Sequence, residues 1–232
     1  MAAETRPIAR PVPRPSRVAA LWTSSIGKKA LMAATGLVLF AYVVGHLLGN
    51  LQVFAGAARL DRYAELLRVS PALLWSVRAV LLIAFLVHVA AGLQLSVLRR
   101  EARPVDYATY RPVASSPAAR GMIWSGLLIL GFVVYHLLDL TIGVVNPDFR
   151  PGQVYHNVLA TFGRGLGVAI YVVAMIALGF HLWHGMWSLF QSLGVSTRRS
   201  LPGLQRFAVT VAWILAIGFT AIPLAVVVGV VR

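Results

Sequence analysis

Leu178-Gly179-Phe180-His181-Leu182-Trp183-His184-Gly185-Met186-Trp187-Ser188 sets two imidazoles between two glycines. It lies in a run, residues 165–197, that holds no Asp, Glu, Lys or Arg. A helix rises about 1.5 Å per residue, so about 20 apolar residues cross roughly 30 Å of hydrocarbon; this run reads as a membrane-spanning helix. Polar side chains at membrane depth are costly to keep there, so a histidine in such a run marks a functional site. The pattern recurs in three apolar runs upstream: Gly45-His46, then His88 with Gly92, then Gly131 with His136.

Composition points the same way. Of the 232 residues, 59% are hydrophobic and only 12% charged, where a soluble domain carries about 25% charged residues. The class is all-α membrane protein. No cysteine is present, which excludes disulfides, iron–sulfur clusters and thiolate zinc sites built from this chain alone. The net charge of +14 does not imply a nucleic-acid partner. The basic residues sit between apolar spans, where they set topology and meet anionic lipid or an acidic protein.

Taken in order, residues 1–24 are rich in Arg and Pro with no apolar core, and read as a disordered cytoplasmic tail rather than a cleavable signal. Residues 25–232 form one transmembrane domain with five spans, about 25–54, 71–98, 120–145, 165–193 and 207–231. Pro71 is a good first-turn residue for the second span. Arg99 and Arg100 stop that span, and Asn146-Pro147 ends the third. Residues 60–69 alternate apolar Leu60, Ala64 and Leu67 with charges, the mark of a short amphipathic helix lying in the interface. A further loop carries Asp148, Arg150, His156 and Arg164, with His156 expected at the surface. The fifth span, 207–231, has no ionisable residue within it and is expected to serve packing.

With the N-terminus inside, the cytoplasmic segments hold Arg6, Arg10, Arg14, Arg17, Lys28, Lys29, Arg99, Arg100, Arg103, Arg111, Arg120, Arg198, Arg199 and Arg206. That is 14 of the 21 Lys and Arg residues, which orients the chain with its N-terminus cytoplasmic.

Depth organises the histidines. His46, His136 and His181 each lie 16 residues beyond the start of their run (Ala30, Arg120, Gly165), and His88 lies 17 beyond Pro71. Each therefore sits roughly 24 Å along its helix. Successive spans run in opposite directions, so His46 and His136 belong near the outer face, and His88 and His181 near the cytoplasmic face. In an up-down bundle of four helices the first faces the third and the second faces the fourth. Two imidazoles facing each other across an apolar cleft suit bis-histidine haem ligation, and nearby glycines let a macrocycle approach the backbone. The bland reading makes them interhelical hydrogen-bonding residues, with glycines for close packing. Neither level has the Cys, carboxylate or third histidine that zinc or copper would want. His184 shares a helix face with His181, and spacing alone does not separate the two.

The chain resembles the di-haem cytochrome b membrane anchor of succinate dehydrogenase and fumarate reductase, of the single-subunit five-helix type. The resemblance covers residues 24–199. It rests on Ser24-Ser25-Ile26-Gly27-Lys28-Lys29, Thr35-Gly36, Gly45-His46-Leu47-Leu48-Gly49-Asn50-Leu51, Phe85-Leu86-Val87-His88 with Gly92, Tyr135-His136, Phe180-His181 and Gly185-Met186-Trp187-Ser188. It implies two haems b, one held by His46 and His136 and one by His88 and His181, and so favours His181 over His184. It further implies flavoprotein and iron–sulfur partner subunits on the cytoplasmic side, menaquinone as substrate, and a bacterial cytoplasmic membrane. Lys28, Lys29, Arg99, Arg100, Arg198 and Arg199 would then face the partners and haem propionates. Quinone reduction needs protons, and the carboxylates available near the outer level are Asp61, Glu65 and Asp139. The family's quinol site favours the segment with Asp61, Tyr63 and Glu65; solvated loop charges are the bland alternative. The competing functions are a di-haem cytochrome b of another respiratory dehydrogenase or hydrogenase, and a haem-free membrane anchor.

Overall fold

A computed structural model describes residue 16 and residues 21–102 and 116–232. The expected tail falls almost wholly outside these, as do Arg103 and Arg111. Among the described residues there is no β-strand. The helices are α1 (Ser25–Asn50), α2 (Ala57–Leu66), α3 (Pro71–Glu101), α4 (Pro117–Arg120), α5 (Met122–His136), α6 (Val154–Phe162), α7 (Gly165–Ser192) and α8 (Leu201–Val227). Five segments are long and apolar enough to cross a membrane: α1 with its continuation to Ala55, α3, α5 with its continuation to Ile142, α7 and α8.

Local chemistry sets the helix starts. Ser24 Oγ accepts from Gly27 N at 3.0 Å, and Ser116 Oγ accepts from Ala119 N at 3.1 Å. Ser70 caps α3 by accepting from Leu73 N, with Pro71 in the first turn. Each side-chain oxygen takes one of the amide hydrogens that a helix start leaves without a partner. The ends of α1 and α5 differ from regular α-helix in opposite senses. Past Asn50, α1 tightens into a 3₁₀ turn, Leu51–Ala55; past His136, α5 widens into a π-helical turn, Leu137–Ile142.

Several sequence boundaries move. The third span is α5 plus the π turn and stops at Ile142, where Gly143 takes a left-handed φ of 85°. The second span extends to Glu101, beyond the basic pair Arg99-Arg100. The fifth begins at Leu201, so Arg206 lies inside it, against the expectation of a span without ionisable residues. The loop expected to carry His156 is partly helical: His156 stands on α6, its Nε2 2.9 Å from the Asp148 carbonyl oxygen. The amphipathic segment expected over 60–69 is α2, displaced a few residues toward the N-terminus.

The spans pack most extensively as α7 on α8, α1 on α3 and α5 on α7, with smaller contacts of α1 with α7 and α8 and of α3 with α5. Small residues line these seams: Ala91, Ala208 and Ala212 are fully buried. The ring of Trp213 lies over Gly179, and Leu47 lies over Gly218 so closely that a Cβ there would come within 2.8 Å of it. Lipid offers no hydrophobic gain for helix association, so close backbone approach through small residues supplies the contact. Large apolar side chains such as Leu82, Ile83, Trp124 and Ile217 point outward, as lipid contact requires.

One end of the bundle is closed. There α2 and α6 pack on each other and on the spans, and Val53, Leu60, Val158, Phe162, Tyr171, Ile222, Ala225 and Val231 make a buried apolar cluster. We call this the cap end, and the opposite end, where α1 begins, the tail end.

Candidate functional site

Four histidines meet in two pairs. The His46 and His136 rings are 5.8 Å apart, centre to centre, near the cap end; those of His88 and His181 are 6.2 Å apart, nearer the tail end. These are the pairs that the depth count gives.

At the tail-end level hydrogen bonds to the Nδ1 atoms fix how each imidazole points. His88 Nδ1 lies 3.2 Å from the Met32 carbonyl oxygen and 3.4 Å from Thr35 Oγ1. A carbonyl only accepts, so Nδ1 carries the proton. Thr35 spends its own proton on the Leu31 carbonyl at 2.7 Å and can accept as well. The neutral ring then has a bare lone pair at Nε2, as a metal ligand needs. His181 repeats the arrangement. Its Nδ1 is 3.4 Å from Ser125 Oγ, which itself donates to the Met122 carbonyl at 3.1 Å. Gly36 and Gly126 lie against these two rings, and a Cβ on them would come within 3.2 and 3.4 Å of the imidazole Cε1 atoms of His88 and His181 respectively.

At the cap-end level, His136 Nδ1 is 3.0 Å from Tyr171 Oη. Tyr171 donates to Asp139 Oδ2 at 3.2 Å, so its oxygen accepts from the imidazole, and here too Nε2 is the bare nitrogen. Asp139 has no exposure at all and also takes Thr161 Oγ1 at 3.0 Å and Arg164 Nη2 at 3.2 Å. Arg164 in turn donates to the carbonyls of Ala160 and Val145, and Asn146 donates to Thr161. His46 is held differently: Tyr42 stacks on it at 5.2 Å and Phe219 lies at 5.9 Å.

The residues fit a metal held between facing imidazoles. A metal–imidazole bond is about 2 Å, so two such bonds in line put the nitrogens about 4 Å apart and the ring centres roughly 6 Å apart. Both pairs stand near that separation, and three of the four rings have Nδ1 engaged as a donor. Among the described residues no group of three or more His, Cys, Asp or Glu gathers to form a metal site of another kind. His184 lies outside both pairs; its Nδ1 is buried without a hydrogen-bond partner, and its ring meets Trp187 edge-on at 5.1 Å.

The three residues expected around a quinone are not equivalent. Asp61 Oδ1 accepts from Tyr155 N at 2.9 Å and so ties α2 to the first turn of α6. The Tyr63 ring fills the space beside Gly49, where a Cβ would sit 2.8 Å from its hydroxyl oxygen. Glu65 is exposed and pairs with Arg62 at 3.3 Å.

Asp139, which the sequence offered only as a carboxylate for quinone reduction, stands instead behind His136, and Tyr171, Thr161, Arg164, Thr35 and Ser125 were missed as histidine supports. A signal for some of them was present. Met32, Thr35, Gly36 and His46 are matched, 90 residues later, by Met122, Ser125, Gly126 and His136. His88 and Gly92 are matched 93 residues later by His181 and Gly185. The same pattern thus recurs in two helix pairs, α1–α3 and α5–α7, and the hydroxyl of each first helix reaches the histidine of its own second helix. Comparison of the chain with protein families, with curated proteins and with solved structures gives no match.

Proposed function

We propose that this chain is the membrane-anchor cytochrome b subunit of a succinate:quinone oxidoreductase, carrying electrons from an iron–sulfur subunit through two bis-histidine haems b to a quinone, menaquinone in the family it resembles. The observation that carries the reading is the set of two facing histidine pairs in an apolar bundle, three of whose four rings present a bare Nε2. A bound haem supplies reversible one-electron chemistry at its iron. The chain's own part is to hold and orient. His88 is fixed by Met32 and Thr35, His181 by Ser125, and His136 by Tyr171. The lipid-facing Leu, Ile and Trp side chains keep water from both levels. The partners would be a flavoprotein and an iron–sulfur protein, docked at the tail end. There the chain presents Lys29 at the start of α1, Arg99 and Arg100 at the end of α3, and Arg198 and Arg199 between α7 and α8. By the charge bias of the loops that end is cytoplasmic. The quinone would sit toward the cap end, near Asp61, Tyr63 and Glu65.

The purified chain tests this by a pyridine haemochrome assay. Two haems b per chain are expected. None would overturn the reading in favour of a haem-free anchor, and one would overturn its two-level arrangement.

A further inference from the structure

The two levels differ in what stands behind the histidines. At the tail-end level the Nδ1 protons of His88 and His181 meet a carbonyl and hydroxyls, all neutral. At the cap-end level the path from His136 runs through Tyr171 Oη, 3.0 Å away, to the carboxylate of Asp139, a further 3.2 Å on. That carboxylate is wholly buried. Its counter-ion, Arg164, binds the other oxygen, Oδ1, and its side chain is 34% exposed. The arginine charge is therefore partly screened by water, whereas the carboxylate oxygen facing Tyr171 is not; charge in a low-dielectric interior acts more strongly than charge at the surface.

The departure is specific to the second helix pair. By the 90-residue offset Asp139 stands where the first pair has Gly49, and by the 93-residue offset Tyr171 stands where it has Arg78. Neither Asp139 nor Tyr171 has an equivalent in the first pair. The π turn Leu137–Ile142 begins directly after His136 and contains Asp139, and such turns recur at functional sites.

Resting on the haem reading above, we propose that Tyr171 and Asp139 are positioning residues that tune the cap-end haem: they hold the proton on His136 Nδ1, load negative charge onto its imidazole through the phenol, and so lower the reduction potential of the iron it ligates. An acceptor behind a ligating histidine fixes its tautomer and raises its basicity. A more basic ligand favours the oxidised, more positive iron. The tail-end haem, backed by neutral acceptors, lacks this contribution.

The test is a spectroelectrochemical redox titration of the purified haem-loaded chain and of Tyr171→Phe and Asp139→Asn. Tyr171→Phe removes one oxygen and keeps the ring that packs on Phe132 and Phe162, so it carries the test if Asp139→Asn fails to fold. In each variant one of the two titrating components should become easier to reduce, by about tenfold in the one-electron equilibrium, or 59 mV. The other should stay in place. The component that moves should be the one that His46→Ala abolishes. Two haems with both potentials unmoved, or with both moved alike, would overturn the proposal and leave the network as a structural clamp on the cap. A wild-type chain without haem would instead overturn the functional reading itself.

Discussion

The tail-end and cap-end histidine pairs share a fold yet are built by different means. The tail-end pair is made by helix contact alone: a Met carbonyl, a hydroxyl and a glycine on one helix receive the imidazole of the next. The motif appears twice, at Met32, Thr35 and Gly36 and at Met122, Ser125 and Gly126. The cap-end pair is lopsided. His136 is backed by a chain of polar groups drawn from the π turn, α6 and α7, whereas His46 has aromatic neighbours on α1 and α8. A repeated helix pair can thus give two similar sites at one depth and two dissimilar ones at another, once short helices cap one end.

The comparison breaks most visibly by removing a ligand. On the haem reading proposed above, replacing His88 or His181 with Ala is expected to abolish the tail-end haem and spare the other, and His46→Ala or His136→Ala to do the reverse. Haem stoichiometry and the split of the b-band spectrum read this out. His184→Ala should keep both haems; its losing one while His181→Ala loses none would move the ligand by one helical turn.

A smaller effect separates the cap from the seams. A Cβ on Gly167 would lie 2.3 Å from the Thr161 backbone oxygen, and backbone cannot move aside as a flexible side chain can. Gly167→Ala is expected to cost about 1–3 kcal/mol, the usual range for overpacking, seen as a lowered thermal midpoint with the cap-end haem lost first. The same change at Gly126, where the contact is 3.4 Å, should cost less and touch the tail-end haem.

Smallest is the change on α2. The exposed Arg62–Glu65 pair contributes about 0–1 kcal/mol, so Glu65→Ala should leave stability and both haem spectra unchanged. Quinone turnover, if it occurs beside this helix, should slow in Glu65→Ala. Full turnover there would move the quinone away from the 61–65 segment.

What the sequence made legible followed from depth and period. Five apolar runs gave five spans, and counting residues along each run gave the pairing of His46 with His136 and of His88 with His181, because helix rise is constant. Boundaries were harder where the helix leaves its regular pitch: nothing in Leu137-Leu138-Asp139-Leu140-Thr141-Ile142 announces a π turn. The polar network behind His136 was hidden because Asp139, Thr161, Arg164 and Tyr171 are scattered across more than thirty positions, and only the packing of the π turn, α6 and α7 gathers them. Arg164 in particular looked like an ordinary loop charge. The helix-pair repeat was there to be read, but its two offsets, 90 and 93, blur a search for one fixed period.

The π turn also bears on the bilayer that suits this molecule. With it, the third span runs from Met122 to Ile142, 21 residues, against 27–31 for the other four. At helical rise that is about 31 Å, close to the hydrocarbon thickness of an ordinary bilayer. The longer spans can tilt or project into the headgroups; the short one has no slack. In a thicker membrane its cap end, with buried Asp139 beside it, would sink below the headgroup level unless the lipid thinned locally, at a cost of a fraction of a kcal/mol per Å. Hydrophobic mismatch would thus be felt first at the cap-end histidine, making lipid chain length a lever on one site of this protein and not the other.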